Sequence, residues 1–280
     1  MSVRRATAPQ ASSVLGPLGL DVAALLGRPP DRCARGDWQR LSKPGLEGRE
    51  RWKGRANGSV VYVKRYLRTR LRDQLDRILR QNPLHSRGWC EFRRALELNH
   101  VQIAAPRPIA CAERMLGPLE HRSAVVLAQA PGEAIERLWP RLCAAGSVWT
   151  RPPLRHELVR VLARFIAAFH STGLCHRDLY LCHVFADLAP DADRPPRFVL
   201  IDLARVFRPL VRRMRWILKD LSQLDASARQ LGIPRTDRLR FLRTYLGLEA
   251  RSPRIRWYAR RIVRRSDRIV RRIERKARTR

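Results

Sequence analysis

Acidic residues are scarce in this sequence. Asp and Glu number 25 against 58 Lys and Arg, a formal net charge of +33. A surface so basic attracts polyanions, whether nucleic acid, anionic lipid head groups or a phosphorylated substrate, and the bulk charge does not choose among them. Cysteine is thin too: Cys33, Cys90, Cys111, Cys143, Cys175 and Cys182 are scattered singly, with no C-x-x-C pair. That pattern argues against a zinc site or a disulfide framework and suits reduced cytosolic thiols. No apolar run is long enough to span a bilayer. Arg4 and Arg5 precede a mildly apolar stretch that Pro17 and Asp21 interrupt, so no signal peptide is read and a cytoplasmic protein is expected. Aromatic residues make up only 7% of the chain. They are sparse for stacking on single strands, and no DNA-reading motif is present, which disfavours nucleic acid as the partner.

What is present is a substantial core. Hydrophobic residues are 45% of the 280, enough to exclude wholesale disorder, and the length suits one two-lobed domain or two small ones. Residues 1–30, rich in Ala, Pro, Ser and Gly, read as a flexible N-terminal tail. Strand-like patterns follow at 38–41, 50–55 and 59–66, the last being SVVYVKRY, with Asn57-Gly58 supplying hairpin-turn chemistry before it. Residues 67–81 put Leu67, Leu71, Leu75, Ile78 and Leu79 on one face and predict a helix. A second helix is expected over 86–99, then a strand after Pro106 and Pro108 and another at 123–127. Pro131-Gly132 marks the boundary between an N-lobe over 31–131 and a C-lobe over 132–251. The C-lobe is expected to be helical: 155–172 stopping at Gly173, 213–231 and 237–246, with a buried strand at 198–201.

Four elements then appear in a fixed order. Val61-Tyr62-Val63-Lys64 ends a strand, Glu91 lies in the next helix, His176-Arg177-Asp178-Leu179 follows the long helix, and Asp202 closes an apolar strand. Phosphoryl transfer needs parts of this kind, because its transition state spreads negative charge and the protein's task is positioning and electrostatics. A lysine on a rigid strand can hold phosphates if a carboxylate such as Glu91 fixes its rotamer; Glu97 is a rival for that place. A carboxylate at a strand end, Asp202, can bind Mg²⁺, which favours oxygen ligands. Asp178 can accept or orient the proton of a substrate hydroxyl. Gly45 and Gly48 sit in a loop where backbone N–H groups could approach phosphate oxygens.

The His-Arg-Asp block, the strand-borne VYVK and the Ile-Asp-Leu block resemble the eukaryotic-type protein-kinase signatures. More narrowly, HRDLYLCHVF followed by VLIDLARV, with VYVKRY and WILKDLSQL, resembles the lipopolysaccharide kinase family, the Kdo/WaaP group, over about residues 38–247. The resemblance implies an α+β, two-lobed protein-kinase-like fold, with a small antiparallel-sheet N-lobe and a mostly helical C-lobe. It implies ATP in the cleft between lobes near 127–130, with Gln129 and Ala130 among the nucleotide-binding residues beside Lys64, Glu91, Gly45 and Gly48. Asp178 becomes the catalytic base, and Asp202 the Mg²⁺ ligand. His183 stands where protein kinases have a metal-binding asparagine, and imidazole is a poor Mg²⁺ ligand. The short segment between Asp202 and the helix at 213, with no Ala-Pro-Glu, points away from a peptide acceptor and toward a small or lipid-linked substrate, and the resemblance implies a sugar hydroxyl of a lipopolysaccharide-type glycolipid, heptose or Kdo. A small atypical protein kinase, an aminoglycoside-type kinase and a silent kinase-fold module that binds nucleic acid or membrane remain as alternatives. Asp220 is expected either to anchor the His176 loop or to lie on a helix surface.

From Arg254 to Arg280 the chain carries 13 basic and two acidic residues, with Ile255, Ala259, Ile262, Ile269 and Ile273 at helical spacing. This predicts a basic amphipathic helix over 252–280. It would pack its isoleucines on the C-lobe, lie on the anionic inner face of the cytoplasmic membrane, or do both.

Overall fold

The computed structural model describes residues 3–42, 48–56, 58–189, 192–248 and 252–278. Gly45, one of the two glycines expected near phosphate, lies outside them. The described chain divides into two compact units, Met1–Ala130 with Asp202–Phe207 and Pro131–Ile201 with Arg208–Arg280.

The first unit is built on strands β1 (Val3–Thr7), β2 (Asp37–Arg40), β3 (Arg49–Ala56), β4 (Ser59–Tyr66), β5 (Pro108–Leu116) and β6 (Leu119–Ala128), with helices α1 (Ser12–Leu18), α2 (Leu71–Arg80) and α3 (Arg87–His100). The strands form one antiparallel sheet in the order β1-β5-β6-β4-β3-β2. Side chains alternate across a strand, and β4 is apolar or aromatic on both faces. Val61 and Val63 point into a cluster with Val14, Leu18, Leu25 and Leu26. Tyr66, on the opposite face, packs with Phe92 of α3, Cys111 and Leu127.

That two-sided demand explains why residues 3–32 are not the flexible tail their composition suggests. Leu18, Leu20, Leu25 and Leu26 are buried on the sheet. β1 extends the sheet beyond β5, and buried Arg65 donates through Nε to the Leu25 carbonyl at 2.7 Å. Covering one sheet face removes apolar surface from water, which outweighs the weak local propensity of the segment.

Helix α2 is shorter than the pattern over 67–81 and is turned polar side in. Gln74 and Arg77 are buried, while Leu71, Leu75 and Leu79 are exposed. Gln74 donates to the Glu120 carbonyl at 2.7 Å and accepts from the Glu120 amide at 3.0 Å. Arg77 donates to the carbonyls of Asn82, His85 and Pro118. Helix α3 begins where Ser86 accepts from the Trp89 amide, a side-chain cap on an orphan donor.

The second unit contains β7 (Glu133–Ala134), β8 (Val184–Asp187) and β9 (Arg197–Leu200), and helices α4 (Ile135–Leu142), α5 (Pro152–Ser171), α6 (Arg213–Gln230), α7 (Arg235–Leu246) and α8 (Pro253–Arg278). The three strands form a small antiparallel sheet. Helix α5 stops as its sequence predicts, with Gly173 at φ +88° and its amide donating to the His170 carbonyl. Helix α8 packs on α6 and α7 through buried Ile255, Tyr258, Ile262 and Ser266, and Arg229 of α6 pairs with Asp267 at 2.5 Å. That part of its stripe is therefore already covered, and its exposed side is mostly arginine, with Trp257 and Val263 also exposed. No disulfide joins the six cysteines, and no helix among the described residues is long and apolar enough to cross a membrane.

Candidate active site

In the first unit the side chains gather around Lys64. Its Nζ lies 2.5 Å from Glu91 Oε1 and 2.9 Å from Asp202 Oδ1. Strand β4 pairs on both sides, with Arg51 of β3 and Val125 of β6 opposite Lys64, so the lysine has a rigid backbone. Glu91 is fully buried on α3 and also accepts from the Tyr66 hydroxyl at 3.2 Å. Its rival Glu97 is engaged by Arg94 one helical turn away, so the lysine's helix partner is Glu91.

Two neighbours were not singled out in the sequence. Arg49, first residue of β3, places Nη2 3.0 Å from Asp202 Oδ1 and its guanidinium 4.9 Å from the centre of the Tyr66 ring. Burial by itself would lower the Arg49 pKa; the facing Tyr66 and Asp202 outweigh it and hold it above its ordinary value. Burial pushes the Tyr66 phenol well above its usual range in spite of Arg49, so Tyr66 acts as a neutral donor to Glu91. The available signal was strand register: Arg49 is opposite Tyr66, which shares a face of β4 with Lys64.

Asp202 itself has φ +59° and ψ +57°, a left-handed conformation uncommon outside glycine. Gly48 also has positive φ, and its carbonyl accepts from the amides of Leu67 and Arg68. A Cβ there would collide with the Arg68 carbonyl. Close packing of this strand end therefore requires glycine, whatever a phosphate needs. The Gln129 amide donates to the Val60 carbonyl at 3.0 Å, and Ala130 is buried.

In the second unit the His176 loop is hung from Asp220. This buried aspartate of α6 accepts from the amides of His176 and Arg177, both at 2.7 Å, and faces His170 Nε2 at 3.3 Å. Its role is to anchor the loop, one of the two readings its sequence allowed. His176 Nε2 donates to the Ile201 carbonyl at 3.0 Å, and burial together with His183 lowers its pKa, keeping the ring neutral. Arg177 has φ +73°, and its carbonyl accepts from Lys219. Asp178, partly exposed, follows directly. Its carbonyl accepts from the Tyr180 amide at 3.0 Å and from His183 Nδ1 at 2.7 Å. The backbone that carries the Asp178 carboxylate is thus held by two donors.

The donor chemistry discriminates between the two candidate metal ligands. Asp202 offers oxygen, the donor type that Mg²⁺ favours, and pairs here with Lys64 and Arg49. His183 offers nitrogen, with Nδ1 committed to the Asp178 carbonyl. No group of three or more His, Cys, Asp or Glu capable of holding a metal occurs among the described residues.

The profile of the lipopolysaccharide kinase (Kdo/WaaP) family matches residues 38–245. Among curated proteins, a lipopolysaccharide core heptose(I) kinase WaaP of Pseudomonas aeruginosa is 35% identical over 164 residues, 56% of this chain and 57% of that protein. One of the same name from Escherichia coli K12 is 29% identical over 220 residues, 74% of this chain and 77% of the relative. A solved structure titled "WaaP in complex with acyl carrier protein" superposes with a TM-score of 0.65 at 24% identity, covering 94% of this chain and 99% of that one. The α+β fold is kinase-like.

Proposed function

Because this chain belongs to the lipopolysaccharide kinase (Kdo/WaaP) family, we propose that it transfers the γ-phosphoryl group of ATP to a hydroxyl of an inner-core heptose of lipopolysaccharide. The observation that carries the reading is the Lys64–Glu91–Asp202 chain of contacts, at 2.5 and 2.9 Å. In this reading Lys64 holds the nucleotide phosphates, Glu91 fixes the lysine, and Gln129 and Ala130 border the base. Asp202 holds Mg²⁺, which neutralises phosphate charge when bound. Asp178 orients the acceptor hydroxyl and takes its proton. Heptose is preferred to Kdo because the curated relatives are named heptose(I) kinases. A glycolipid acceptor also brings the enzyme to a membrane surface.

The test is mass spectrometry of unphosphorylated core lipopolysaccharide incubated with ATP, Mg²⁺ and purified protein. Phosphate should appear on heptose. Asp202→Asn and Asp178→Asn should each lower the rate at least about 10²-fold, on the scale of general acid–base catalysis. Near-normal turnover by either variant overturns the residue assignment, and phosphate on Kdo alone overturns the acceptor.

A partner reading rests on a separate observation. The second unit holds an apolar cavity of about 180 Å³ lined by Leu181, Leu224, Phe241 and Ile262 among others, with Arg235 and Arg238 at its polar edge. A solved neighbour is titled "WaaP in complex with acyl carrier protein". An acyl chain presented by such a carrier would suit the cavity. Intact-mass analysis of the purified protein for a co-purifying acylated carrier tests this, and Leu224→Trp should abolish the co-purification.

A further inference from the structure

Helix α2 exposes what a helix in water ordinarily buries. Leu71, Leu75 and Leu79 recur every four residues and are 76%, 59% and 76% exposed; Leu84, just beyond the helix, is 64% exposed. Isolated exposed leucines are ordinary, but four close together on one unit make an apolar patch, and such patches mark interaction surfaces. The orientation is not a weakly held accident. The inward side is fixed by Gln74 in two hydrogen bonds with the Glu120 backbone and by Arg77 on three carbonyls. Rolling the leucines inward would strand these buried polar groups, at a cost that apolar contact would have to exceed.

Charge selects the occupant. Exposed arginines Arg68, Arg70, Arg72 and Arg80 surround the leucine row. The two acids of the helix are both engaged by arginine, Asp76 by Arg80 and Asp73 by Arg87 at 3.8 Å. A second copy of the chain would bring the same arginines face to face and be repelled. A surface that is apolar at depth and anionic at its rim satisfies both parts of the face, and a bilayer containing anionic lipid has that profile. We propose that α2 is an interfacial helix which docks the first unit on an anionic bilayer through Leu71, Leu75, Leu79 and Leu84, with its arginines at the head groups. The basic helix α8 is the less suitable candidate: Ile255, Tyr258 and Ile262 are buried against α6 and α7, and its exposed Trp257 and Val263, six residues apart, do not form a row like that of α2. The docking does not depend on phosphoryl transfer, so it and the kinase reading stand or fall in separate assays.

The experiment is co-sedimentation of the full chain with vesicles of phosphatidylglycerol and phosphatidylethanolamine, and with phosphatidylcholine alone. Wild type should bind the anionic vesicles and bind phosphatidylcholine far less. Leu71→Gln/Leu75→Gln/Leu79→Gln should weaken binding at least about tenfold, since burial of each leucine contributes to it. Arg68→Gln/Arg72→Gln should weaken it too and reduce its salt dependence. Hydrogen exchange over residues 71–84 of the wild type should slow when vesicles are added, a readout that holds even if the leucine variant folds poorly. Absence of wild-type binding at low salt, unaltered binding by the leucine variant, or unchanged exchange over 71–84 would overturn the proposal. So would a concentration-dependent dimer in lipid-free buffer that the leucine variant abolishes, which would make the face a self-interface.

Discussion

Arg49 and Lys64 both point at one oxygen of Asp202, but they are not equally tied. Lys64 has a second, fully buried carboxylate in Glu91, whereas Arg49 lays its guanidinium against the Tyr66 ring. A divalent cation at Asp202 would compete first with Arg49, and the displaced guanidinium would be available to phosphate. Arg49→Gln is therefore expected to shift two quantities in opposite directions. Mg²⁺ should bind the ADP complex more tightly, and metal-free ADP should bind roughly tenfold more weakly, as suits loss of one charge-assisted contact. Isothermal titration at several Mg²⁺ concentrations separates this from simple destabilisation, which would weaken both. Asp220 invites a second test. Asparagine there keeps the shape but turns one acceptor into a donor facing a backbone amide of the His176 loop. A loss of about 1–3 kcal/mol of stability is expected by thermal melting, together with a fall in kcat, because the loop carries Asp178.

At the level of elements, the N-terminal segment makes the strongest claim. Leu25 is wholly buried, and Arg65 ties its carbonyl to β4. Leu25→Ala should cost about 2–5 kcal/mol, the range for emptying a core leucine site, whereas a disordered tail would register nothing in a melting curve. The sequence made some elements plain and hid others for identifiable reasons. Strand β4 has the limits that its β-branched and aromatic run suggests, and α6 and α7 lie within two residues of their apolar periods. The segment over 3–32 was hidden because Ala, Pro and Gly carry little periodic signal, and its leucines gain order only from a sheet that is apolar on its second face. Helix α2 shows a different limit: periodicity reveals that a helix has two faces, not which one meets the protein. Of the site, the Lys64–Glu91 pair was legible from order and residue type, whereas the contact of Asp202 with Lys64 was not, since an apolar strand ending in aspartate does not name that residue's neighbour. Arg49 was not, because its meaning depends on the β3–β4 register.

The whole molecule carries its +33 charge on a chain of 280 residues, and like charges repel across the folded surface. Raising salt from about 50 to 500 mM shortens the Debye length to a few ångström, so the melting temperature should rise, by several degrees, in scanning fluorimetry. A flat or falling response would mean that the ion pairs outweigh the repulsion. Nearly all of this charge is arginine: only Lys43, Lys53, Lys64, Lys219 and Lys276 carry side-chain amines. The Lys64 amine is buried between Glu91 and Asp202, while Lys276 is exposed and Lys53 and Lys219 are half-buried, so amine-directed chemistry meets few sites and peptide mapping separates the buried one. Acylation of Lys64, followed by peptide mass spectrometry, should be slow in the wild type and quicken in Asp202→Asn and Glu91→Gln. The scarcity of lysine thus turns a single amine into a built-in reporter of the carboxylates that grip it.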